Sequence, residues 1–288
     1  MYPAKFNYYR AGSVQEAISL LQQHADAKIL AGGHSLIPAM KLRLAQPAAL
    51  IDIGGIAGLK GVSQGNGKIK IGALSTHASL AASDVLQKNC AVLAEAAGHV
   101  GDQQVRNKGT IGGNLAHADP ASDLPAVVLA LNGLLSVAGS GGERQISASD
   151  FFVDLLTTAL KEDEVLTSIE VNPVGANSGS AYLKFENPAS GYAICGAAAV
   201  VTLNSDGTCA SASLCYNGVT VVPLNANAVT DALAGKALDD ATIDQAVNNG
   251  LSIAEPLSDI HASGEYRIEL ARVFGRRALK RARDRAQG

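Results

Sequence analysis

Thr110-Ile111-Gly112-Gly113-Asn114-Leu115-Ala116-His117-Ala118-Asp119-Pro120-Ala121-Ser122-Asp123 is the stretch on which the fold turns. Two adjacent glycines allow a backbone turn with φ > 0 and leave amides bare toward an anion. Thr110 and Asn114 flank them with short polar side chains suited to phosphate or sugar oxygens. Two carboxylates follow, Asp119 and Asp123, and then an apolar run over 124–131 that reads as a buried helix, with Pro125 in its first turn. Such a segment suits the diphosphate and hydroxyls of a nucleotide. It offers no paired nucleophile and base.

Glycine pairs alone mean little, because 30 glycines in 288 residues give roughly three adjacent pairs by chance, and such pairs ordinarily mark turns. Four occur: Gly32-Gly33, Gly54-Gly55, Gly112-Gly113 and Gly141-Gly142. Context separates two of them, since Ala31-Gly32-Gly33-His34-Ser35 and Thr110-Ile111-Gly112-Gly113-Asn114 both set polar residues beside the glycines.

The chain is 47% hydrophobic and 17% charged with a net charge of −3, a composition for several well-buried domains and not for a nucleic-acid surface. The basic run 276–283 reads as the solvated face of a last helix, favoured there by the helix dipole. Cys90, Cys195, Cys209 and Cys215 contain no C-x-x-C pair, so they read as buried thiols and not as ligands of a local cluster. Any metal centre that works with this chain is expected on another. Residues 1–6 lack the pattern of a secretory signal and no apolar run reaches the ~20 residues of a span, so a cytoplasmic protein without a transmembrane segment is expected.

Along the chain, Ser13-Val14-Gln15-Glu16 is a capping box before a helix. Strands are expected at 28–30 and 49–53, with a helix over 37–44 between them. Asn66-Gly67 centres a hairpin, a helix is expected over 85–100, and a second hairpin surrounds 139–142. Residues 165–171 alternate as a strand, and 173–179 have linker composition. The last third reads as strands at 181–185, 197–203 and 209–216, followed by helices at 227–233, 241–253 and 266–281. That makes an antiparallel sheet with helices on one side.

The ordered pair Ala31 to Leu36 and Thr110 to Asn114, followed by Asp119-Pro120-Ala121-Ser122-Asp123, resembles the FAD-binding medium subunit of the molybdenum hydroxylases. Met40-Lys41-Leu42-Arg43-Leu44-Ala45-Gln46-Pro47 looks most like the carbon monoxide dehydrogenase type. The resemblance covers essentially the whole chain. It implies an α+β fold: a two-subdomain FAD-binding unit of the PCMH/vanillyl-alcohol-oxidase type, then a C-terminal α+β domain. The boundaries expected are 1–55, 56–176 and 177–288.

By the same resemblance, FAD lies between the subdomains with its diphosphate on two glycine loops. Ala31, Gly32, Gly33, His34, Ser35 and Leu36 would form the first, His34 contributing backbone only, and Thr110, Ile111, Gly112, Gly113 and Asn114 the second. Asp123 would accept from cofactor hydroxyls, Leu166 and Lys184 would contact the cofactor, and Tyr192 would lie near the isoalloxazine. Val100 departs from the aromatic residue of the xanthine dehydrogenases. Read singly, Lys184 is a solvated strand residue, and His77, His99 and His117 are surface or cap residues. The implied function is electron transfer: a large partner subunit carries a molybdenum cofactor, a small one carries [2Fe-2S] clusters, and FAD on this chain passes electrons to an external acceptor. The implied assembly is a dimer of heterotrimers without nucleic acid. A self-contained FAD oxidoreductase and a flavin-free scaffold are the alternatives.

Overall fold

The computed structural model describes residues 1–288. Its first part comprises β1 (Asn7–Arg10), α1 (Val14–Gln23), β2 (Ala27–Leu30), α2 (Leu36–Lys41) and β3 (Ala49–Asp52). The Ser13 hydroxyl accepts from the Glu16 amide at 3.1 Å, and the Glu16 carboxylate accepts from Gly12 N–H at 2.7 Å, which fixes where α1 starts. β3 lies between β1 and β2 and runs parallel to both, so each connection must cross over. This small sheet has no sufficient core alone. Ile18, Ile51 and Ile53 pack with Leu74, Ala138 and Val165 from the part that follows.

The second part holds β4 (Val62–Gly65) and β5 (Lys68–Gly72), then α3 (His77–Ala81), α4 (Asp84–Asn89), α5 (Ala91–His99), α6 (Gln103–Lys108), α7 (Ile111–His117) and α8 (Leu124–Ala130). β6 (Leu134–Gly139), β7 (Gly142–Ser147), α9 (Ala148–Phe151), β8 (Phe152–Asp154), β9 (Thr157–Thr158) and β10 (Val165–Val171) complete it. The antiparallel sheet has the order β4-β5-β10-β6-β7. Asn66 and Gly67 turn the first hairpin with φ of 51° and 72°, as the Asn-Gly pair requires. The single helix expected over 85–100 is two, broken at Cys90 with φ −159°. The break lets Leu86 and the Val92-Leu93 pair reach one core together.

The third part is β11 (Ser178–Glu186), β12 (Ala193–Leu203), β13 (Cys209–Asn217) and β14 (Leu224–Asn225), then α10 (Asn227–Asp231), α11 (Asp240–Gly250) and α12 (Gly264–Gln287). Its four strands form an antiparallel meander. Ala181, Ala197, Ala199, Leu214 and Tyr216 face the core shared with α11 and α12. Their neighbours Tyr182, Ala198 and Cys215 face the core of the second part. Helices were expected on one side only; α5 and α8 of the second part cover the other. Burial on both faces explains the unbroken apolar run of β12, and burial all round explains that of α8, every residue of which is buried.

α12 lies so close to the sheet that a Cβ on Gly275 would run into the Tyr216 hydroxyl, which is buried without a partner. Tyr216→Phe therefore should match or exceed the parent in urea melts, and Gly275→Ala should lose about 2 kcal/mol. A clear loss in the phenylalanine variant would contradict this packing. The basic run is more than a solvated face: Lys280 pairs with Asp240 and Asp244 at 3.2 and 2.9 Å, and Arg283 with Asp240 at 2.7 Å. Burial pushes the thiols of Cys90, Cys195 and Cys215 up to about 12, which leaves them unreactive. No helix is long and apolar enough to cross a membrane.

Candidate functional site

β2 runs directly into residues 31–35, and α2 begins at Leu36. Gly33 has φ +74°, a conformation that favours glycine. The amides of Gly32, Gly33, His34 and Ser35 donate to no acceptor in the chain. Ser35 occupies the cap position of α2 without making a side-chain cap bond. Four consecutive free amides and a free hydroxyl, on a bend left partly open to solvent, are donors suited to an anion.

The second segment corrects the expectation of a bare turn. Residues 111–117 are helical, and neither Gly112 nor Gly113 has positive φ. Their amides are taken: Ile111 donates to Ser75 O at 3.0 Å, Gly112 to Ala73 O at 2.8 Å, and Asn114 to Thr110 O at 2.9 Å. Gly113 donates to the Thr110 hydroxyl at 3.2 Å, so Thr110 is a helix cap. Gly112 serves close approach instead, and Gly113 lies at ordinary packing distance from the first loop. A Cβ on Gly112 would stand 2.5 Å from the Ala73 Cβ, and one on exposed Gly113 would stand 3.8 Å from the Ala31 Cβ. A Cβ on Gly32 would stand 2.9 Å from Gly109 Cα. The two glycine segments, far apart in sequence, meet along one seam.

Asp123, at the start of α8, makes no cap bond and is 4% exposed. Its Oδ1 accepts from the Tyr182 hydroxyl at 2.6 Å and lies 3.2 Å from Lys184 Nζ. Lys184 is no solvated strand residue: its side chain is 2% exposed and also donates to His99 O and Gly191 O, each at 2.7 Å. The ammonium is thereby engaged on three sides, holding Asp123 and the turn that carries Tyr192. Tyr182 and Lys184 are two apart on β11 and so share a face.

Burial pushes Asp123 up to about 6 against the pull of Lys184 and the Tyr182 hydroxyl. A carboxyl raised above its unfolded value contributes stability that is full below about pH 4 and lost as pH rises through about 6. Relative to Asp123→Asn, the parent should thus lose about 2–3 kcal/mol between pH 4 and 6.5. Denaturant melts of both across that range would show parallel curves if the raised value were wrong.

Tyr192 is 46% exposed, at the end of a turn closed by Asn187 N–H donating to Tyr192 O at 2.8 Å. Burial, then the charges of Asp119 and Asp123, raise its phenol, and the next residue, Ala193, donates its amide to Ala121 O at 3.3 Å. Asn114 Nδ2 donates to the Ser122 hydroxyl at 3.1 Å, and its Oδ1 is buried without a partner. Leu166 is buried in β10 with Ile111 and Leu115, beneath α7. Val100 closes α5, its carbonyl held by Arg106 at 3.1 Å.

Sequence reading missed Tyr182 and Asn217, which hydrogen-bond each other at 3.2 Å beside Asp123. It also misplaced His77, which is 2% exposed. Free amides on the first glycine segment, and an unpaired amide oxygen on the segment it meets, can bind a dinucleotide. They supply no nucleophile.

Residues 4–173 match the family described as FAD binding domain in molybdopterin dehydrogenase, and residues 180–282 the CO dehydrogenase flavoprotein C-terminal domain. The carbon monoxide dehydrogenase medium chain of Afipia carboxidovorans is 38% identical, covering 100% of both chains. The 6-hydroxypseudooxynicotine dehydrogenase complex subunit alpha of Paenarthrobacter nicotinovorans is 35% identical over 100% of this chain and 97% of its own. Among solved structures, carbon monoxide dehydrogenase from Hydrogenophaga pseudoflava superposes with a TM-score of 0.95 at 39% identity, covering 99% of each chain. Quinoline 2-oxidoreductase from Pseudomonas putida 86 gives 0.94 at 33% identity, covering 100% of each. With those matches along its whole length, the chain belongs to the FAD-binding medium subunits of the molybdenum hydroxylases.

Proposed function

We propose that this chain holds FAD along the seam between residues 31–36 and 110–114 and serves as the electron-transfer subunit of a molybdenum hydroxylase of the carbon monoxide dehydrogenase type. The observation that carries the assignment is the set of free amides from Gly32 to Ser35, abutting α7 through Gly113. Those amides receive the diphosphate, and Gly32, where a Cβ would run into the Lys108 carbonyl and Gly109, keeps the two segments close enough to share it. Asn114 Oδ1 and the Asp123 carboxylate offer acceptors to ribose or ribityl hydroxyls. Leu166 supports α7 from below, and Lys184 holds Asp123 and the turn of Tyr192, so both act on the cofactor through their neighbours. Tyr192 covers the ring. Bound FAD supplies the ability to take electrons from an iron–sulfur centre and deliver them to another acceptor. Residues 1–55 and 56–176 form the FAD-binding subdomains and 177–288 the third domain.

The partners are a large subunit with the molybdenum cofactor and a small subunit with [2Fe-2S] clusters, assembled as a dimer of heterotrimers in the cytoplasm. Co-purification of both chains, with flavin, molybdenum and iron in constant ratio, tests the reading. A substrate screen on that complex then identifies what it oxidises. Reduction of the flavin by substrate on this chain alone would favour a self-contained oxidoreductase. A colourless complex that refuses added FAD would favour a scaffold.

A further inference from the structure

α2 grows directly out of the first glycine segment, and five of its six residues, Leu36-Ile37-Pro38-Ala39-Met40-Lys41, are apolar, yet only Met40 is buried. The helix ends in a Schellman motif. Arg43 N–H donates to Met40 O at 3.0 Å and Leu44 N–H to Ala39 O at 2.9 Å, with Arg43 left-handed at φ +60°. Glycine is the usual residue at that position, and the apolar residue after it usually packs back onto the helix. Here an arginine holds the left-handed conformation, and Leu44 beyond it is 80% exposed, with Leu42 53% exposed. Two local rules are broken at one turn, and nothing within the chain gains from it.

Charge describes what would cover this turn. No Asp or Glu occurs between Asp26 and Asp52, although the chain as a whole has more carboxylates than Lys and Arg, 26 against 23. Lys41 and Arg43 are exposed, and neither pairs with a carboxylate. A second copy of the chain meeting this face with its own would set cation against cation. An apolar patch rimmed with carboxylates fits instead. Place narrows the occupant further. The six residues of α2 span about 9 Å, which sets Lys41 roughly that far along the helix from the free amides of Gly32 to Ser35. A chain that gives electrons to a flavin on those amides must lie beside them, and a thiolate-ligated iron–sulfur centre carries net negative charge.

We infer that the end of α2, Lys41 to Leu44, is a docking face for the iron–sulfur partner subunit, which meets Leu42 and Leu44 with apolar surface and Lys41 and Arg43 with carboxylates. The choice of occupant rests on the electron-transfer reading above.

The test compares complexes purified with the parent chain, Arg43→Gly, Leu44→Ser or, as a control at an exposed leucine elsewhere, Leu155→Ser. Mass photometry follows release of the iron–sulfur subunit on dilution, and the free full-length chains are melted in parallel. Arg43→Gly should melt at or above the parent, because glycine relieves the left-handed residue. Its complex should nevertheless release the iron–sulfur subunit about tenfold more readily. Leu44→Ser should release it about tenfold more readily with unchanged melting, and Leu155→Ser should stay within about threefold of the parent. A purely structural role would move melting and release in the same sense. Parent-like release in both Arg43→Gly and Leu44→Ser overturns the inference, and so does release of the large subunit in place of the iron–sulfur one. Binding of the free parent chain to vesicles of phosphatidylserine and phosphatidylcholine, abolished by Leu44→Ser, overturns it in favour of a membrane face. A parent complex that responds as expected but carries no flavin overturns the FAD reading and leaves the docking face standing.

Discussion

Gly113→Val should fold and lose FAD, whereas Gly112→Val should fail to fold. The neighbouring glycines differ in what surrounds them. Gly113 is exposed, and a Cβ there meets only the Thr110 hydroxyl at 2.9 Å and the Ala31 Cβ at 3.8 Å, so branching at that atom fills the seam between the loops. FAD affinity is expected to fall at least about a hundredfold, on the order of 3 kcal/mol, with a modest loss of stability from the disturbed cap. Gly112 is buried, and its Cβ would stand 2.5 Å from the Ala73 Cβ and 2.7 Å from the Ala73 carbonyl oxygen, whose acceptor role toward the Gly112 amide would also be lost. Overpacking against backbone costs about 3 kcal/mol or more. Flavin content and circular dichroism of the purified variants check both halves. Unchanged flavin in Gly113→Val would remove that residue from the site, and a stable, flavin-loaded Gly112→Val would refute the packing of α7 on Ala73.

Lys184→Met should be the most destabilising single change around Asp123. It removes the counter-charge of a carboxylate that is 4% exposed and releases the carbonyls of His99 and Gly191. Breaking a buried pair from one side costs about 3–5 kcal/mol. The direction with pH follows from the group left behind. Without the ammonium the Asp123 carboxyl rises further above its unfolded value, so the penalty grows as pH climbs from 5.5 to 8 and Asp123 is forced to ionise. Adding Asp123→Asn should recover much of the loss at pH 8. Denaturant melts at the two pH values measure this, and a cost below about 1 kcal/mol at both would mean that Asp123 has other compensation.

Much of the fold was legible from local pattern. The capping box at Ser13, the Asn66-Gly67 hairpin and the alternation of β10 depend on residues close in sequence, and each element lies where that pattern puts it. The helix expected over 85–100 failed because periodicity is blind to a single non-helical residue, Cys90, which redirects the chain without changing its apolar spacing. Lys184 and His77 were misjudged for a related reason. A lysine on a strand and a histidine at a helix start are commonly solvated, and only the docking of β11 on α5, and of α3 beneath Gly109, buries them.

Residue order alone determined that there would be two glycine segments with polar flanks, a carboxylate after the second, and no nucleophile and base beside them. Tertiary structure decided which amides are free to bind. A sequence shows where a donor is but not whether an acceptor has already claimed it. Ala73 and Ser75 carbonyls consume the amides of Gly112 and Ile111, while nothing in the chain reaches those of Gly32 to Ser35. Anion binding therefore falls to the first segment, and the second contributes the close approach that only glycine permits.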